Sequence, residues 1–292
     1  EASSRPQSLT GSRRPLRESV FRLALQASLL IAVGFLLSLL VYVVYTAWPR
    51  LDLDLLRNMP STLRPETAGA QSAIMGTIWV ISITALICVP IGLMTAIYLE
   101  EYADQNKWWN KLIEINIANL AAVPSIVYGI LGLGVIARVL GLGTTVMAAA
   151  LTLSLLVLPV VIISAREAIR AVPSSIRFGS LALGATQWQT IWRQVLPAAV
   201  PGTATGSILA LSRAIGEAAP LLLLGALAYI RFNPDGVLSQ YTVLPVQIFD
   251  WIKQSREEFV PLASAAIVVL LVILLAMNSV AILVRNKFQR RW

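Results

Sequence analysis

The chain has 292 residues, 57% of them hydrophobic and 13% charged, with a formal charge of +8. Soluble domains are about 25% charged, so this is the composition of a polytopic membrane protein, and basic residues flanking membrane spans account for the charge better than nucleic-acid binding does. With no His and a single Cys, Cys88, histidine acid–base chemistry, Cys/His metal centres and internal disulfides are excluded.

A membrane-crossing helix needs about 20 apolar residues. Residues 1–20, rich in Ser, Arg and Pro, read as a disordered tail. The first span follows at 21–47, with an uncharged run over 23–47 that ends ahead of Trp48 and Pro49 and carries no cleavage signature of a signal peptide. A loop occupies 48–70. Residues 71–284 form the main membrane domain, in which the uncharged stretches 67–99, 115–137, 139–165 and 259–284 supply four more spans. A further span starts near Pro201, contains Arg213 and Glu217, and runs on through 218–230. Residues 285–292 are a second tail. The expected fold is all-α, a transmembrane bundle of six spans. Pro90 and Pro124 fall inside spans and predict kinks there. Cys88, in the run Leu86-Ile87-Cys88-Val89, reads as a packing residue.

Lys and Arg accumulate in loops that stay in the cytoplasm. With the N-terminus inside, fifteen of the 23 Lys and Arg fall in inner segments and seven in outer ones, Arg213 being the remaining one. Both termini are therefore expected in the cytoplasm, together with a polar insert at 166–200. Within that insert, Ser174 and Ser175 are candidate caps for a helix running to Leu183, and Gly184 suits the left-handed position that ends it. Thr186 with Gln189 forms a capping-box pattern. Trp188, Ile191, Trp192 and Val195 then make one apolar stripe, and Pro197 is expected to close the helix. Two short helices with an apolar edge make a rigid knob; the same stripe also suits a helix resting on lipid headgroups. In the outer segment 231–258, the amphipathic stretch from Val246 to Ile252 is expected to lie on the membrane surface, the alternative being contact with a soluble protein.

Ala182-Leu183-Gly184-Ala185, followed at the right interval by Leu196-Pro197, resembles the cytoplasmic loop of ABC-importer permeases that inserts into a groove on the ATP-hydrolysing subunit. Phe178-Gly179-Ser180 and Gln194 stand where that motif has Glu-Ala-Ala and an apolar residue. Four further segments look like the phosphate-import permeases of the PstA and PstC type, with PstA the closer. They are Ala96-Ile97-Tyr98-Leu99-Glu100-Glu101-Tyr102, Val123-Pro124-Ser125-Ile126-Val127-Tyr128-Gly129, Leu209 to Glu217 with Ala219-Pro220, and Leu244-Pro245-Val246-Gln247-Ile248-Phe249. Order and spacing agree from about residue 70 to residue 284, and Ala218 stands where many members have Thr.

The resemblance implies a type I ABC-importer permease fold in the bacterial plasma (inner) membrane, and half of a translocation pathway for inorganic phosphate. It implies four kinds of partner: a second, PstC-like permease, a dimer of PstB-like ATP-binding subunits, an extracytoplasmic PstS-like phosphate-binding protein, and the lipid bilayer, with no nucleic acid. This chain is expected to bind no cofactor and no metal and to hydrolyse no ATP itself. Leu183, Gly184, Ala185, Trp188, Ile191, Leu196 and Pro197 are its expected ATPase-coupling residues.

Arg213 and Glu217 stand one helical turn apart. Charges at mid-bilayer are costly and usually face a bundle interior or a wet cavity. Either they pair to fix packing, or Arg213 lowers the barrier for an anion and Glu217 holds it in place or breaks its contact in one state. A guanidinium fork matches two oxygens of phosphate or sulfate. Ser125 and Tyr128 are candidate hydroxyls on the same path, or ordinary interhelical hydrogen-bonding groups, and Ser125 with Gly129 forms a small-xxx-small pair. Gly132-Leu133-Gly134-Val135-Ile136-Ala137 mimics a dinucleotide loop without the strand–helix context, and no phosphate loop is present. Every Asp lies outside the spans and no Gly-x-Ser-x-Gly occurs, which leaves no intramembrane aspartate pair and no serine nucleophile elbow. The competing readings are a permease for another oxyanion, sulfate or molybdate, and, more distant, a stand-alone secondary transporter or a non-transporting scaffold.

Overall fold

The computed structural model describes residues 16–104, 106–226 and 229–288. Among them the regular elements are helical, with one isolated antiparallel bridge between Thr145 and Gln240. Residues 1–15 of the expected first tail and 289–292 of the second lie outside the described residues. The chain forms two units, one ending at Tyr45 and one beginning at Thr46. Helix α1, Leu16–Ala47, starts inside what the sequence reads as tail. Its apolar residues point in all directions, which is how a helix surrounded by lipid is built.

The second unit opens with a short helix α2, Leu53–Arg57, capped by Asp52, whose carboxylate accepts from the Leu55 amide. Arg50 donates to the Glu66 and Ala68 carbonyls and so folds the 48–70 loop on itself. Leu55, Ala68 and Ala70 are buried together with Leu244, Trp251 and Phe259, which places this loop, helix α11 (Leu244–Lys253) and the start of helix α12 (Phe259–Phe288) at one end of the bundle. Helix α3, Gln71–Ile97, leaves that end, passes through Pro90 and finishes in a π-helical turn, Tyr98–Tyr102.

The expected single span at 115–137 is broken. Helix α4, Trp108–Ala122, and helix α5, Ser125–Leu131, which continues as a π-helix over Gly132–Val139, meet at 104°. Pro124 is the cause. It has no amide to give Leu120, and it forces the preceding Val123 into extended backbone (ψ 132°). The next span likewise begins later than expected, as helix α6, Val146–Arg170, because Gly141 and Gly143 hold positive φ and Thr145 caps the helix from outside.

Five helical stretches are long and apolar enough to cross a membrane, and the bent pair makes six if it counts as one span. Helix α6 is the most buried of them and packs between α3 and helix α9, Leu196–Ile215. Close approach is built from small residues. A Cβ on Gly76 of α3 would lie 1.9 Å from the Thr242 carbonyl oxygen, a backbone atom that cannot swing aside. Gly76→Ala is therefore expected to destabilise the folded chain by about 1–3 kcal/mol, measured as a lower thermal midpoint in detergent. Cys88 is fully buried in this core, as its surroundings predict.

Helix α11 does not lie free on a membrane surface. Leu244 to Ile248 and Trp251 are buried against α12 and α3, and only Phe249, Ile252 and Lys253 remain exposed. The amphipathic stripe seats the helix on its own bundle.

Candidate functional site

At the bundle end opposite α11, the chain leaves α6 and turns into helix α7, Ser174–Ala182. Neither Ser174 nor Ser175 caps it. Pro173 occupies the cap position with φ −56°, a value its ring fixes, and no side chain accepts from the first turn. Gly184 at φ +83° ends the helix, with the Ala185 amide donating to the Ser180 carbonyl. Thr186 and Gln189 make both arms of a capping box and start helix α8, Gln187–Thr190. Leu183, at the turn between the helices, is 91% exposed.

Pro197 does not close the second helix. The chain runs on from Gln187 to Ile215 through a π-helical turn, Ile191–Val195, and Pro197 sits in the first turn of α9. A π-turn is wider than an α-turn and gives the proline ring room. This span therefore starts inside the insert rather than near Pro201. The apolar stripe divides at the same turn. Ile191, Val195 and Leu196 are buried, whereas Trp188 and Trp192 are exposed with ring centroids 5.1 Å apart. The Ser180 and Thr190 hydroxyls, 2.9 Å apart, tie α7 to α8. Between the two helices lies a cleft of about 400 Å³ bordered by Ser175, Gly179, Leu183, Gln189 and Arg193.

The knob is anchored by charges that no single motif announces. Arg166 donates from Nε to Glu100 (2.8 Å) and from Nη2 to Glu114 (2.5 Å), and Arg170 also reaches Glu100 (2.8 Å). Arg177 of α7 holds Glu101 (2.8 Å) and the Ile169 and Val172 carbonyls, while the Gln187 side-chain amide donates to the Glu101 carbonyl. Glu100 and Glu101 are 7% and 9% exposed, so their carboxylates are largely desolvated, while Arg170 and Glu114 still reach solvent. Arg177 and Gln187 join the knob to the end of α3 and to α6, and Arg166 joins α6 to α4. The signal of this lattice in the sequence is the acidic group Glu100, Glu101 and Glu114 standing opposite a basic insert.

At the far end of α9, the Arg213 Nε lies 3.2 Å from the Glu217 Oε1, with Arg213 56% and Glu217 18% exposed. The helix stops at Ile215 and resumes as helix α10, Ala219–Leu224. The break precedes Pro220, and Glu217 itself lies in it. Gly129 of α5 packs on this junction, where a Cβ would be 2.7 Å from the Pro220 Cα. Tyr128, one residue earlier, is buried and donates its hydroxyl to the Leu120 carbonyl at 2.8 Å. That carbonyl, which Pro124 has no amide to serve, also accepts from the Val123 amide at 3.2 Å, and the Tyr128 hydroxyl ties α5 to α4 across the break. Ser125 is half-buried at the first position of α5, one turn before Gly129. In the Gly132 to Ala137 stretch, Gly132 is explained by packing, since its Cβ would meet the Thr152 Oγ1 at 2.4 Å, whereas Gly134 faces open space.

Residues 88–289 match the family described as the binding-protein-dependent transport system inner membrane component. The chain belongs to this family. It is a permease component of an ABC importer and a multi-pass inner-membrane protein. Among its relatives, the phosphate transport system permease protein PstA of Mycobacterium leprae is 35% identical over 244 residues, covering 81% of this chain and 78% of the relative. The PstA 1 protein of Mycobacterium tuberculosis strain H37Rv is 33% identical over 223 residues, covering 76% and 71%. A solved bacterial alginate ABC transporter, in complex with an alginate pentasaccharide-bound periplasmic protein, matches at a TM-score of 0.62 and 16% identity, covering 92% of this chain and 96% of that one. The inward-facing MetNI methionine ABC transporter matches at 0.59 and 16% identity, covering 74% and 94%. At that identity both speak for the fold alone.

In this permease a single helix joins the two places where charge and exposure concentrate. Helix α9 has 20 residues, about 30 Å at 1.5 Å per residue. The knob continues into its first turn and Arg213 projects from its last. Ser212 beside Arg213 bonds Asn278 of α12 at 2.7 Å, which ties the Arg213 end to a second long helix.

Proposed function

We propose that the chain forms half of the pathway for inorganic phosphate in an ATP-driven importer, with Arg213 as the cation the anion meets and the 174–197 knob as the surface an ATPase pushes. The observation that carries the reading is α9, a continuous helix with an exposed docking element at one end and a half-exposed guanidinium at the other. Relatives named as phosphate transport permeases, 30–35% identical over most of the chain, support phosphate as the cargo. The knob, and with it both termini, faces the cytoplasm in this reading.

Leu183, Gly184 and Ala185 form the tip that enters the ATPase groove, with Trp188 flanking it. Ile191, Leu196 and Pro197 brace the tip from behind. A second permease of similar fold covers the exposed Arg213 face, two ATP-binding subunits dock beneath, and a soluble binding protein delivers the anion from outside. Nucleotide-driven closure shifts the knob, and α9 carries the shift as a rigid body. The Arg213–Glu217 pair holds the guanidinium at rest, and an oxyanion competes for it through two parallel donors.

Uptake of labelled phosphate by vesicles carrying the assembled complex tests the cargo. Excess unlabelled phosphate is expected to abolish the signal, and equal excesses of sulfate or molybdate to leave it within about twofold. Equal competition by sulfate would reassign the cargo to another oxyanion, since the guanidinium fork alone fits both.

A further inference from the structure

An apolar groove of about 350 Å³ opens between α3, α6, α9 and α12, away from the Arg213 face. Its walls include Leu93, Val161, Ala204, Ile208 and Leu211, and one charged residue, Arg285, stands at its edge. On α9 the lining runs from Val200 to Leu211, about 16 Å at 1.5 Å per residue. That is close to half of a hydrocarbon core roughly 30 Å thick, the depth of one leaflet. The groove begins at the knob end, where Arg285 occupies the last turn of α12.

Arg285 differs from the arginines that anchor the knob. Arg166, Arg170 and Arg177 each hold a glutamate. Arg285 donates to the Thr205 hydroxyl (2.9 Å) and to the Asn286 side-chain carbonyl (3.2 and 3.3 Å), all neutral acceptors, and no carboxylate lies within 4.0 Å of it among the described residues. A guanidinium at headgroup depth without an anion is a ready site for a phosphate. An apolar groove beside it holds water poorly, because water needs several polar partners.

We infer that this groove binds an anionic phospholipid of the knob-side leaflet, one acyl chain along α9 and the headgroup phosphate on Arg285. Size, depth, apolar lining and the uncompensated charge all fit one amphiphile. The lipid would seat between α9 and α12, beside the helix that carries the knob, and its binding does not depend on which anion is transported.

Native mass spectrometry of the full chain tests this, after reconstitution into nanodiscs of phosphatidylcholine with phosphatidylglycerol and release into mild detergent. Wild type is expected to retain phosphatidylglycerol in preference to phosphatidylcholine. Arg285→Gln is expected to reduce retention at least about tenfold, the size of a lost charge-assisted bond. Ala204→Trp, which fills the groove and keeps the cation, is expected to do the same, whereas Arg285→Lys retains part of it. Free inorganic phosphate should not displace the lipid. Retention unchanged in both Arg285→Gln and Ala204→Trp would overturn the assignment. So would wild type that holds no phospholipid or does not distinguish the two headgroups, and so would displacement by phosphate alone.

Discussion

Replacing Arg213 with Gln is expected to reduce phosphate uptake to background while the chain folds and assembles as before. The side chain is 56% exposed and its partner Glu217 lies four residues on. A pair so placed contributes about 0.2–1 kcal/mol, so stability falls little. The loss in transport is much larger. A charge-assisted hydrogen bond is worth about 1.5–3 kcal/mol, and each 1.4 kcal/mol is tenfold. Losing even one such contact to a passing oxyanion therefore slows uptake about 10- to 100-fold, and losing a bidentate pair slows it more. Arg213→Lys keeps the charge but not the fork and should fall between the two. Labelled-anion uptake measured beside copurification of the other subunits checks all three. Uptake at the wild-type rate in Arg213→Gln would remove this residue from the path.

The second large effect is expected at Arg166. Substitution by Ala leaves Glu100, which is 7% exposed, with Arg170 alone, and returns the 37% exposed Glu114 to water. Breaking a buried pair by removing one partner costs about 3–5 kcal/mol. Because Arg170 stays on Glu100, about 1–3 kcal/mol is the expected cost, read as a lower thermal midpoint. The functional loss is separate. Arg166 pairs at once with Glu100 at the end of α3 and with Glu114 of α4, so its removal loosens α6 and the end of α3 from α4. The expected phenotype is ATP hydrolysis that continues with less anion moved per ATP. A double-mutant cycle with Glu100→Ala should return a coupling energy of about 0.5–3 kcal/mol. A coupling near zero would make the lattice incidental.

Much of the architecture was legible because lipid imposes a simple rule on composition. The uncharged runs gave five spans, with the sixth read through Arg213 and Glu217, and Gly184, Thr186 and Gln189 gave the turn and cap of the knob, since each needs one residue type at one backbone position. What was not legible depended on partners far apart in the chain. Pro124 announces a kink, but neither its 104° size nor the Tyr128 hydroxyl that ties α5 back to the Leu120 carbonyl could be read from it. Pro197 looks like a terminator until a π-turn makes room for it. The burial of α11 depends on α12, and the glutamates at 100, 101 and 114 find their arginines 52 to 76 residues away. Local pattern places elements. It does not say which charges meet.

The most direct test of knob-driven transport is the paired measurement of ATPase copurification and phosphate uptake in Leu183→Asp. Leu183 is 91% exposed, so the substitution should change the stability of the isolated chain by less than about 0.5 kcal/mol while placing a charge on the tip proposed to enter a partner's groove. The ATP-binding subunits should no longer copurify, and uptake should stop. Full retention of those subunits together with unchanged uptake would contradict the claim that this knob is where the motor acts.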